Sequence, residues 1–160
     1  MPEPVVELIA QNIQATVNAI TSAAGFQQDL TCARPTRKAM VDLAVADHAP
    51  VNGTVLLVQM ADEVDDEHSN AGSPARLAWR QRFALLAFVS DSDAATAPID
   101  TLINRVKSDI RRKLMEDPQR GGLALDTQQA GAAVFPDEGV DIYFDVIFRT
   151  REDDPYVNAG

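Results

Sequence analysis

The stretch "VDIYFDVIFR", Val140 to Arg149, constrains the fold most. Val140, Ile142, Phe144, Val146 and Phe148 face one way, and Asp141, Tyr143, Asp145 and Arg149 the other. A period of two sorts apolar from polar groups only on a pleated strand with one buried face. The chain must therefore build a sheet and cover one side of it. Two segments have the pattern to do so. Over residues 4–24, Val6, Ile9, Ile13, Val17, Ile20 and Ala24 recur at three- and four-residue steps, the stripe of an amphipathic helix, with Gly25 placed to end it. After Pro98, a second stripe runs through Ile99, Leu102, Ile103, Val106, Ile110 and Leu114. Pro98 opens that helix where its missing N–H costs nothing, and Arg111, Arg112 and Lys113 complement the dipole at its end.

The remaining strands are shorter or less regular. "DLTCAR", Asp29 to Arg34, is a short strand ended by Pro35. Residues 36–48 fit either state: Val41, Leu43 and Val45 alternate, while the alanines suit a helix. Asn52-Gly53 marks a turn before a strand over Thr54 to Met60. "RLAWRQRFALLAFVS", Arg76 to Ser90, reads as a long strand, apolar on both faces in its second half and so central in the sheet. Helix, strands, helix, strands is the order of an α+β domain, with a mostly antiparallel sheet packed by two amphipathic helices. The 160 residues suit one domain over 1–160. Between the second and third strands, Ala61 to Ala75 is acidic, then small and polar, with no period. A connection of that length in a small domain is expected to be a mobile loop.

Formal net charge is -10, which argues against a surface that grips nucleic acid through Lys and Arg. Cys32 is the only cysteine, so no internal disulfide forms; on a strand it reads as a small buried hydrophobe. "FALLAFV" is the longest apolar run and is far short of a membrane span, and "MPEPVVELIAQ" has no signal-peptide core. The expectation is a soluble protein made in a cytoplasm, with no membrane partner.

No catalytic, cofactor or metal site emerges. "EDPQRGGLALDT", Glu116 to Thr127, has a Gly pair but places it after a helix rather than before one, where N–H groups would face an anion. It is read as a structural turn. Asp117 and Pro118 stop the helix, and Gly121 and Gly122 turn the chain into a strand over Leu123 to Thr127. The run "DEVDDEH" lacks the ligand order of a calcium loop and is read as solvated. His48 and His68 form no helical metal motif. Trp79 lies among Arg76, Arg80 and Arg82, but alternation separates the ring from the cations. That makes an edge tryptophan the better reading than a base-stacking platform. Enzymatic activity is not expected.

"IRRKLMEDPQRGGLALDT" together with "DIYFDVIFRTREDDPY" resembles the C-terminal half of bacteriophage tail terminator proteins, also called tail completion proteins. Asp117 and Pro118 match that family's helix stop, Gly121, Gly122, Leu123 and Ala124 its turn, Arg149 and Thr150 its strand exit, and Asp154, Pro155 and Tyr156 its acidic tail. The resemblance implies a structural virion protein at the head-proximal end of the tail, assembled in the host cytoplasm. Such a protein forms a ring, commonly a hexamer, that stops tail-tube polymerisation and offers a surface to the head-tail connector. It needs no catalytic residues and no cofactor, and DNA passes through its lumen without being specifically bound. The alternatives are a head-tail joining protein on the connector (neck) side and a cellular ligand-binding or enzymatic α+β domain. In the tail, residues 151–160, the stretch "RTREDDPY" reads either as a solvated strand exit or as a contact to a neighbouring subunit or the tube. Arg149, Arg151, Asp153 and Asp154 are the candidate residues for that contact.

Overall fold

The computed structural model describes residues 1–45, 52–72, 75–89, 97–135 and 139–160. The alternating stretch forms β5, Gly139–Arg151, a strand of 13 residues. It pairs along its whole length with β3, Arg76–Phe88, and most of its other side pairs with β4, Asp126–Phe135. On β3's far side lies β2, Thr54–Val64, and beyond it the three-residue β1, Thr31–Ala33. The sheet order is β1-β2-β3-β5-β4, with β6, Asp154–Asn158, folded back on the end of β5. The β1–β2 pair is parallel and the others are antiparallel, so the α+β expectation holds. The apolar run from Phe83 to Phe88 belongs to β3, which is interior to the sheet as expected, and Val89 lies just past its end.

One face of the sheet meets two helices, α1, Val5–Asn18, and α3, Ile99–Met115. Ile9, Ile13 and Val17 of α1 and Ile103, Val106, Ile110 and Leu114 of α3 are buried with Val55, Leu57, Phe83, Leu85, Ile142, Phe144 and Val146. Phe83 and Phe144 stand opposite each other in register and stack at 5.7 Å. Cys32 is buried in this core, and burial pushes its thiol up to about 12.

Several boundaries differ from the sequence expectation, each for a local reason. The first helix ends at Asn18 instead of continuing to residue 24. The Asn18 side chain turns away to β1, accepting from Cys32 N at 2.7 Å and donating to Cys32 O at 3.3 Å. A 3-10 turn over Ser22–Ala24 follows, and Gly25 ends it at φ 87. The ambiguous segment forms a third helix, α2, Arg37–Val45, capped by the Thr36 hydroxyl on Ala39 N. Its expected last residues, 46–48, lie outside the described residues, as does His48.

The strand placed at Leu123 to Thr127 begins at Asp126 and runs on to Phe135. Ala61 to Val64, expected as loop, continue β2: a bulge between Gln59 and Asp62 lets Asp62, Glu63 and Val64 pair with Gln81, Arg80 and Trp79. The connection is thus shorter than expected, and Asn70 bridges Arg76 across it. The tail at 151–160 is not a simple exit, since β6 lies within it. Trp79 is on interior strand β3 rather than at an edge, with its indole N–H donating to Thr150 Oγ1 at 3.0 Å.

Candidate functional site

The turn after α3 is built around a residue the sequence reading passed over. Arg120 is fully buried at φ 51, and its guanidinium donates to the carbonyls of Leu114 and Asp117. It thereby satisfies the open carbonyl end of α3 with the chain's own cation. Asp117 accepts from Gly121 N at 2.6 Å, and Thr127 Oγ1 donates to Pro118 O at 2.6 Å. Gly121 and Gly122 take φ 69 and 84. All four residues of the expected turn act in it, and the carbonyls here are occupied rather than facing an anion. A cation between a helix stop and a Gly pair was the available signal for the cap.

The four tail candidates are engaged within the chain. Arg149 donates from Nε to His68 O at 2.7 Å and from Nη1 to Gly160 O at 3.2 Å, tying the β2–β3 connection and the tail to β5. Arg151 grips Asp153 through two hydrogen bonds of 3.1 and 2.8 Å in the β5–β6 turn, and Asp154 accepts from Tyr156 N. Asn158 Nδ2 donates to Gly122 O at 2.9 Å, so the tail touches the turn after α3. The stretches Ile110 to Thr127 and Asp141 to Tyr156 meet in the sheet, where Leu125 N donates to Ile147 O at 2.7 Å and Asp126 and Thr127 pair with Ile147 and Val146.

The sheet face turned away from α1 and α3 carries a chain of charges across three strands. Arg82 meets Asp145, and Arg80 reaches Asp65 at 2.9 Å, Glu63 at 3.7 Å and Asp145 at 3.9 Å. Arg80 also donates to Gln128 on β4. Glu63, Arg80, Arg82 and Asp145 line a cleft of about 330 Å³ beside the β2 bulge. Asp65, Glu67 and His68 bring potential ligand atoms within 4.8 Å of one another. Asp65, however, already accepts from His68 N and shares a hydrogen bond with His68 Nδ1 at one oxygen, and takes the Arg80 guanidinium at the other. The His68 ring, foremost, holds the Asp65 carboxyl below its ordinary range. This arrangement fixes a loop; it does not present free ligands.

The most exposed apolar chemistry lies at the sheet edges. Apart from Met1, the exposed large apolar side chains among the described residues are Met60 and Val64 on β2, Val134 and Phe135 on β4, and Tyr156 and Val157 on β6. β4 ends the sheet, and among the described residues no strand pairs with its outer side. Among the described residues β2 is paired outward only by β1, over Thr54 to Leu56. Sequence reading missed these edges, because which strand is outermost depends on pairing order and leaves no local pattern.

No family model matches the chain, and no curated protein matches it.

Proposed function

We propose that the chain is a phage tail terminator: copies of it close into a ring at the head-proximal end of the tail tube, stop the tube's growth and present a surface to the head connector. The observation that carries this reading is the pair of open sheet edges bearing the exposed apolar side chains. Unpaired edges with apolar residues are a liability that monomers suppress and assemblies use. Different surfaces on opposite sides of one subunit make a heterologous contact, which closes into a ring when its rotation permits. Asp126 and Thr127 pair with Ile147 and Val146, so the two segments on which the resemblance rests are neighbours in the sheet.

The net charge of -10 suits a passage for DNA that must not hold it. On the face away from the helices, Arg80 and Arg82 are met by three carboxylates, Asp65, Asp145 and Glu63, which leaves that cluster one negative charge in excess. Turned toward the lumen, such a face repels phosphate.

Light scattering after size-exclusion chromatography, followed by negative-stain microscopy, tests the proposal. Rings with an open centre, free or seated on tube ends, are expected. A monomer that neither forms rings nor joins tube ends contradicts it.

A further inference from the structure

The two open edges differ in a way that specifies how one copy meets the next. β2 beyond Leu56 carries Asp62 and Glu63, so pairing β2 with another β2 sets carboxylates against carboxylates. β4 has no charge over "TQQAGAAVF", Thr127 to Phe135, so it can approach an acidic strand without repulsion. Both strands carry a single bulge, between Gln59 and Asp62 in β2 and between Gln129 and Gly131 in β4, so both edges are bent.

Strand direction agrees. β2 is antiparallel to β3, β3 to β5 and β5 to β4, so β2 and β4 of one subunit run in opposite directions. A rotation about an axis along the strands leaves each direction unchanged. The β4 of one copy then meets the β2 of the next in the antiparallel sense, which is the stronger pairing. There is also room for it. Among the described residues a groove of about 360 Å³ borders β2 at Leu57, Val58 and Gln59, with Arg34, Pro35 and Met40 also in its lining. It presents the β2 edge to an incoming strand.

We infer that neighbouring copies join by antiparallel pairing of the β4 edge of one with the β2 edge of the next, giving a sheet that runs continuously around the assembly. The inference rests on the ring reading above and names the seam. Each interface gains a row of backbone hydrogen bonds, and Val134 and Phe135 are covered where Met60 and Val64 receive them.

Blocking each edge separately tests the seam. In an edge strand successive N–H groups point alternately inward and outward. Of Ala132→Pro and Ala133→Pro, the variant that keeps the wild-type melting temperature is therefore the one blocked only outward. Asp62→Pro and Glu63→Pro give the matching β2-blocked form. Should neither proline of a pair fold, Val134→Lys with Phe135→Lys, or Met60→Lys with Val64→Lys, replaces it. Sedimentation velocity is then run on wild type, on each blocked variant and on their equimolar mixture.

The seam predicts oligomers for wild type and monomers for each variant alone. The mixture should give a one-to-one heterodimer, because each variant keeps the edge the other lacks, with affinity at least about tenfold above either self-association. Homodimers of either variant, or a mixture that stays monomeric, overturn it, as does a wild type that stays monomeric at the highest concentration reached. Capping of tubes by wild type without heterodimer formation would refute the seam and leave the ring reading. A heterodimer from a protein that never caps tubes would do the reverse.

Discussion

Arg82 and Asp145 stand opposite each other on β3 and β5 and are joined by two hydrogen bonds of 2.8 and 3.0 Å. Asp145 is buried and Arg82 is open to solvent, so the pair is asymmetric. Removing the arginine leaves a buried carboxylate with only the more distant Arg80, at 3.9 Å, whereas removing the carboxylate frees an arginine that water can hydrate. Arg82→Ala should therefore lower the melting temperature more than Asp145→Ala does. The double variant should recover part of the Arg82→Ala loss. Thermal melts of the three variants check this, and equal losses from both single changes would contradict the asymmetry.

Arg120 carries a prediction about the end of α3. Its guanidinium closes the carbonyl end of α3, while Nε and Nη1 have no partner and burial holds its pKa below the ordinary arginine value. Arg120→Ala loses the cap and leaves a cavity, at a cost of about 2–4 kcal/mol. Urea denaturation measures it through the midpoint. A change below about 1 kcal/mol would mean that the cap contributes little net stability, because the unpartnered nitrogens offset it.

Two glycines should behave differently on substitution by alanine. Gly139 begins β5 at φ 147, where an added Cβ would lie 1.9 Å from Ala87 O on β3. Gly139→Ala must push the two strands apart and is expected to prevent folding or yield aggregate. Gly122, at φ 84, has nothing within 4 Å of that position. Gly122→Ala meets only backbone strain, worth about 1–2 kcal/mol. Soluble yield and circular dichroism of the two variants distinguish these outcomes.

Acid should destabilise the fold through identifiable carboxylates. The Arg34 guanidinium hydrogen-bonded to Glu7 holds that carboxyl below its ordinary value, as the His68 ring, foremost, does for Asp65. A carboxyl whose folded pKa is depressed stabilises the protein above its unfolded pKa, near 4. That contribution is lost as pH falls from about 4.5 through the lower folded values. Stability measured against pH should be level near neutrality and drop below about pH 4.5, and Asp65→Asn should make the drop shallower. An unchanged acid slope in that variant would remove Asp65 from the account.

The fold was legible where burial wrote a period into the chain. β5 alternates because only one face of it meets the helices, and the stripe of α3 lies over that same face. What stayed hidden was written in pairing instead. Ala61 to Val64 carry acids that strands disfavour, and a bulge breaks their alternation, so their place in β2 shows only against β3. The second half of β4 is Ala- and Gly-rich and mostly exposed, which leaves no pattern to read. β6 is short and contains Pro155, a residue tolerated at a sheet edge. The candidate arginines were visible as charges, but their partners, His68 O for Arg149 and Asp153 for Arg151, come from the fold. No local pattern marks Arg120 as buried; the turn that closes over it does that.

The most direct test of the tail-terminator account is the length of tail tubes grown with and without the protein. Purified tail-tube protein from the genome that encodes this chain is polymerised in the presence of increasing amounts of the chain, and the tubes are measured by electron microscopy. The account predicts shorter tubes as the protein is added, each arrested at one end by a ring. Tubes of unchanged length with bare ends, at concentrations where the protein is folded and in excess of the ends, would contradict it.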